Sequence, residues 1–275
     1  MDAGCCAAPC RQHVERHTPS RRRRRWIGTA MTDQTPDSSY AVSAEFYDIL
    51  QAETDRRLAQ RRFAEAAAQA RHGVLDVGAG SGVVTEVVLA ASGLPVHAVE
   101  PAVAMRSALL SRLAHLGADQ RARVTVHPEP LDAAGLSEVV DLAIASNVIA
   151  CLEPATRRAT WRAIAAALLP GGLLLFDPPP VRLPDGSRTT ARLGPVRVGP
   201  DLYSAEVTEL PDRGILRAVF TYRVERHGRL QREEHECFDM WPAAPELLAG
   251  ELRDAGLRVV RAPSADLMAA RRPSE

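Results

Sequence analysis

Short apolar runs at 74–77, 96–99, 123–126, 140–145 and 172–176 alternate with alanine-rich stretches at about 82–91, 102–116 and 155–168. The runs have the length of strands, and the stretches between them have helical length with apolar residues at helical spacing. This rhythm is that of a parallel sheet covered by helices on both faces. "LLPGG" at 168–172 stops the third stretch, with proline ending the helix and glycine taking its cap.

The flanks have other patterns. Residues 44–70 read as helix, with Phe46, Ile49 and Leu50 on one face and Leu58 and Phe63 following. After "FDPPP", residues 202–209, 215–226 and 229–239 alternate apolar and polar positions and are joined by "PDRG" and "RHGR", which is turn chemistry. They predict an antiparallel meander. A helix at about 243–255 ends at Gly256, a strand follows at 257–261, and "LMAARRP" provides one more. The expected fold is α/β, a Rossmann-like doubly wound, mostly parallel seven-stranded sheet with an antiparallel β cap inserted after the fifth strand. Its parts are a basic tail (1–38), a helical lid (39–70), a core (71–180), a cap (181–241) and a closing segment (242–275).

Charge separates the tail from the rest. All 34 basic residues are arginine, so lysine catalysis is excluded. Residues 1–30 hold seven arginines against Asp2 and Glu15, which leaves a net of −5 on the remaining 245 residues of a formally neutral chain. A mildly acidic body argues against a broad phosphate-binding surface. The tail, with five consecutive arginines and no apolar periodicity, predicts disorder. It also lacks the apolar stretch an export signal needs, and Met31 is an alternative start. The five cysteines are too few and scattered for a disulfide framework, which points to a reducing, cytoplasmic setting. Cys5, Cys6 and Cys10 lack the paired spacing of a zinc site, and no metal is expected. No run reaches the roughly 18 apolar residues of a membrane span.

The ligand signal lies in "VLDVGAGSG" at 74–82, where Gly78, Gly80 and Gly82 sit on the first strand-to-helix turn, the usual ligand position in an open parallel sheet. A dinucleotide fingerprint needs its third glycine at 83, which is valine, and a Walker loop needs a Gly-Lys pair that does not follow.

In these residues the chain resembles the class I S-adenosylmethionine-dependent methyltransferases, over about 40–273 and most strongly over 74–105 and 141–177. The resemblance implies S-adenosyl-L-methionine as cofactor, with S-adenosyl-L-homocysteine as product. The segment with Gly78, Ala79, Gly80 and Gly82 would pass under the methionine part, its glycines letting backbone approach without a Cβ. Asp76 would hold the amino group; a cap or turn bond is the alternative for a buried strand aspartate. Glu100, 22 residues beyond Gly78 and followed by Pro101, would accept from both ribose hydroxyls. Met105 would pack on the adenine. Glu129 stands where the family carries an aspartate to the adenine amino group, with Asp132 as rival. The next position usually donates its N–H, but Pro130 has none, so Leu131 is the substitute. Ser146, Asn147 and Val148 would lie beneath the methyl group. Many relatives have a histidine near Cys151, and this chain does not. Tyr40 and Tyr47 match lid tyrosines that contact cofactor or acceptor. "DPPP" at 177–180 resembles the motif of enzymes that methylate base amines, but it ends the fifth strand and closes with proline, so it reads as a chain reversal.

The implied reaction is methyl transfer to nitrogen or oxygen of a small molecule or short peptide, plausible in secondary metabolism. Such a displacement relies on alignment and water exclusion, and a base is optional. In the cap, His235 and Tyr203 are the candidates to face the acceptor, His235 as a group able to take a proton near neutral pH. The alternatives are a non-catalytic S-adenosylmethionine-binding regulator, and an RNA methyltransferase guided by the arginine tail.

Overall fold

The computed structural model describes residues 40–274, so the expectations for the basic tail lie outside the described residues. The stretch expected as one lid helix is two, α1 (Ser43–Leu50) and α2 (Ala52–Gln69), broken at Gln51, whose φ of −125° leaves the helical region. The reason lies in what the two halves bury. Phe46 of α1 packs with Ala205, Tyr222 and Val224 of the cap, whereas Phe63 of α2 packs into the core with Val88, Leu89 and Ile144. One straight helix could not serve both clusters.

The central sheet follows from the apolar runs. Strands β1 (Val74–Val77), β2 (Val96–Val99), β3 (Val124–His127), β4 (Val140–Ala145) and β5 (Leu168–Phe176) are parallel where they pair. All four residues of β1 are buried, as expected of a central strand covered on both faces. The crossovers are α3 (Val83–Ala91), α4 (Val103–Ala114) with the short α5 (Ala118–Arg121), and α6 (Pro154–Ala167). Contrary to the expected glycine cap, α6 is capped by extended Leu168, which already pairs with Val140. Gly171, at φ +79°, lies instead in an irregularity of β5 before pairing resumes at Leu173.

After β5 the chain leaves the core for a separate four-stranded antiparallel sheet, β6 (Arg188–Val198), β7 (Asp201–Asp212), β8 (Ile215–Arg226) and β9 (Arg229–Met240), in that order. Its β7–β8 and β8–β9 turns are Arg213-Gly214 and His227-Gly228, all four residues at positive φ, as two-residue hairpin turns require. The sheet is tied back to the core by Trp241 N–H to Ala150 O (2.8 Å) and Ala243 N–H to Pro180 O (2.9 Å). The chain then returns through α7 (Pro245–Asp254), β10 (Arg258–Val260) and β11 (Met268–Arg271). β11 runs antiparallel beside β5, giving the order β10-β11-β5-β4-β1-β2-β3. Buried Arg157 on α6 holds Glu251 on α7 with two bonds of 2.8 and 2.9 Å, and Trp161 adds a third at 3.1 Å.

Candidate methyl-transfer site

The glycine turn ends β1 and opens α3. Gly78, Gly80 and Gly82 have φ values of +66°, +58° and +86°, a region that penalises any Cβ. Only one of them faces open space. A Cβ on Gly78 would meet Val148 Cγ2 at 2.7 Å and one on Gly82 would meet Leu109 Cδ1 at 2.4 Å, while nothing lies within 4 Å of Gly80. Gly82 therefore serves helix packing and lies outside the cavity lining, against expectation.

Glu100, at the end of β2, ties this turn to the start of α4. Its Oε2 accepts the Gly80 N–H at 2.7 Å and its Oε1 the Ala102 N–H at 2.8 Å. Burial pushes its pKa up, and those two N–H groups work against the rise. Each carboxylate oxygen has the capacity to accept a second bond. The carboxylate, with neighbouring Pro101 and Met105, lines a cavity and can take a ribose diol there.

Asp76 is placed differently from the role the resemblance gave it. It is buried, is not among the cavity-lining residues, and accepts the Thr85 hydroxyl at 2.6 Å. Burial pushes its carboxyl up to about 7, opposed by the bonds from Thr85. The aspartate thus fastens the first turn of α3. The carboxyl beside the glycine turn is Asp55 of α2, which the sequence reading missed because it looks like an ordinary exposed helix acid. Its Oδ2 accepts the Tyr47 hydroxyl at 3.1 Å, and burial raises its pKa. Tyr47, Asp55, Ala79, Gly80, Ser146 and Asn147 enclose a recess of about 50 Å³.

Ser146, Asn147 and Val148 follow β4 and line the main cavity. Asn147 has φ +56°, and its N–H donates to both carboxylate oxygens of Asp177 at 2.9 and 3.0 Å. The first residue of "DPPP" therefore fixes the turn beneath the site, and the prolines carry the reversal into the cap.

The main cavity measures about 650 Å³ and runs from Gly78, Gly80 and Glu100 to the inner face of the cap, a size suited to small organic ligands. Tyr40, at φ +64°, stacks on Phe238 with ring centroids 4.7 Å apart and lines it, as do Tyr47 and Cys151. Burial raises the Tyr40 hydroxyl well above its ordinary range and the Cys151 thiol up to about 11, so neither is a base at neutral pH. The cap's contribution is Val207, Glu209, Ala218, Phe220, Tyr222, Phe238 and Met240, residues that alternate along β7, β8 and β9. The period-2 pattern held that signal, but not which face turned inward.

Five further expected residues fall elsewhere. His235 is on the outer face with Thr221, its Nδ1 3.1 Å from the Thr221 hydroxyl, because strand alternation turns Glu236 and Phe238 inward. Tyr203 is on the inner face but packs on Phe46, ring centroids 5.8 Å apart, outside the cavity lining. Glu129 lies 3.6 Å from His127 Nδ1, and Pro130 is exposed. Leu131 joins the core cluster and also does not line the cavity.

The residues present fit the cofactor: an open glycine backbone, a paired-acceptor carboxylate after the second strand, and a buried methionine beyond it. Among the described residues no arginine lines the cavity, which disfavours a pyrophosphate or 2′-phosphate. Nor do these residues form a group of three or more that could hold a metal ion. The fold and site define a Rossmann-like methyltransferase architecture.

Residues 75–174 match the family model described as a methyltransferase domain. No curated protein matches the chain by sequence. Among solved structures, the chain is similar to S-adenosylmethionine-bound CalS10, an amino pentose methyltransferase from Micromonospora echinaspora involved in calicheamicin biosynthesis. The TM-score is 0.63 at 20% identity, covering 90% of this chain and 100% of that one. It is also similar to the sugar N-methyltransferase KedS8 from Streptoalloteichus (TM-score 0.62, 20% identity, 91% and 99% covered). The methyltransferase CcbJ from Streptomyces caelestis gives a TM-score of 0.67 at 20% identity, with 87% and 100% covered.

Proposed function

We propose that the chain transfers a methyl group to nitrogen or oxygen of a small molecule or short peptide in secondary metabolism, in the cytoplasm. The observation that carries this reading is the continuity of one cavity between the glycine turn with Glu100 and the apolar inner face of the cap. Two fold neighbours, described as an amino pentose methyltransferase and a sugar N-methyltransferase, support acceptors of this size. Among the described residues no helix is long and apolar enough to cross a membrane.

When bound, the cofactor supplies an electrophilic methyl group on a sulfonium. The chain's own residues perform positional work. Glu100 holds the ribose end, Met105 packs behind it, and the Ser146–Val148 turn, held by Asp177, sets the floor. Phe220, Phe238 and Tyr40 exclude water from the acceptor half. With Tyr40 and Cys151 held protonated, the reaction suits a nucleophile that is already neutral, its proton leaving to solvent after transfer.

Incubating the protein with methyl-labelled S-adenosylmethionine and a fractionated cell extract tests the reading. Label is expected in the low-molecular-mass fraction; label confined to RNA, or none transferred to any fraction, contradicts it.

A further inference from the structure

We infer that the acceptor presents to Glu209 in the cap an ammonium or hydroxyl donor, and not an anion, from a group other than the atom methylated, a reading that rests on the methyl-transfer function proposed above. Glu209 sits in β7, paired across the sheet with Ala218, which pairs in turn with Phe238, so the three form one row on the inner face. Alanine in the middle of that row leaves room between the carboxylate and the aromatic ring. Val207, Phe220 and Met240 make the surrounding ceiling apolar.

The carboxylate itself is only half used. Arg188 donates to it from Nε at 3.0 Å and from an Nη at 2.8 Å, and both bonds fall on Oε2. Oε1 has no partner among the described residues, although the Glu209 side chain is only 16% exposed. Arg188 is 60% exposed and is not among the cavity-lining residues, so its guanidinium holds Oε2 from the solvent side while Glu209 lines the cavity. A carboxylate oxygen facing an apolar enclosure calls for a donor, and a charged partner there makes the stronger bond.

The remaining charges agree. The carboxyl groups that line the cavity are Glu100 and Asp55 on the cofactor side and Glu209 on the acceptor side. A chain with 34 arginines places none among the described lining residues. At the Glu209 end a phosphate or carboxylate would meet a carboxyl oxygen and no fork of donors, so the group placed there is an amine or a hydroxyl.

The test is calorimetry on the full chain saturated with S-adenosylhomocysteine, using phenethylamine and 3-phenylpropionate as probes. Phenethylamine is expected to bind the wild type, and the anion not. Glu209→Gln should weaken the amine about tenfold, the size of a lost charge-assisted bond, with S-adenosylhomocysteine affinity unchanged. Arg188→Gln, which frees Oε2, should leave amine affinity equal or higher and so separates recognition from a loss of the surface ion pair. Once S-adenosylhomocysteine is bound, any of three results overturns the acceptor class: an anion binding as well as the amine, no amine binding, or unchanged amine affinity in Glu209→Gln. Failure of S-adenosylhomocysteine to bind at all overturns instead the methyl-transfer reading beneath it.

Discussion

Asp76 and Glu100 end neighbouring strands and are both buried, yet one fastens a helix and the other faces the cavity. Asp76 gives a pH signature. Its folded pKa, raised by burial to about 7, lies above the unfolded value of 3.8, so the native state holds the extra proton between them. Stability from this group is full below the unfolded pKa and is lost as pH rises through 7. Asp76→Asn should therefore gain stability relative to the wild type as pH rises from about 4 to about 7; denaturant melts across that range should show the difference growing. A flat difference would place the proton elsewhere. The glycines separate in the same way. Gly82→Ala must displace Leu109 as well as strain its backbone and should lower the melting temperature more than Gly80→Ala, which has open space. Gly80→Ala should instead weaken S-adenosylhomocysteine binding by calorimetry, because its new methyl group enters the space left for ligand.

At the level of elements, α1 belongs to the cap more than to α2. Its first turn has no side-chain cap of its own; the Ser43 N–H is taken by buried Glu236 of β9 at 2.7 Å, and the Tyr222 hydroxyl donates to Ser43 Oγ at 2.8 Å. Phe46 stacks on Tyr222 with centroids 4.5 Å apart, and Arg232 pairs with Glu45. Combining Glu236→Gln with Tyr222→Phe should raise amide exchange in Ser43–Leu50 and leave Ala52–Gln69 unchanged; equal change in both would mean they move as one helix. On the far side of the core, Arg157→Ala leaves Glu251 buried without its main partner and should cost about 3–5 kcal/mol in denaturant unfolding. The elements also show where the sequence was readable. Runs buried on both faces announced β1, β2 and β4 to the residue, and paired turn residues announced β7 to β9. β6 was silent, because an edge strand with most residues exposed has no apolar alternation to display. The break at Gln51 was silent too, since helical spacing cannot tell that Phe46 and Phe63 bury against different sheets.

For the whole molecule, the consequence is a cofactor floor legible in the motif and an acceptor ceiling that was not. Gly78, Gly80, Glu100, Met105 and the 146–148 turn, to which the family resemblance pointed, all line the cavity. Glu209, Phe220 and Phe238 meet the floor only through tertiary packing, and His235 looked reactive while pointing outward. The central claim is that this floor binds the methyl donor through Glu100. Calorimetric titration of S-adenosylhomocysteine into the intact protein and into Glu100→Ala tests it most directly. Saturable one-to-one binding by the wild type, weakened at least about tenfold in the variant by loss of the ribose acceptor, is the predicted result. No binding by the wild type, or equal affinity in both, would contradict it.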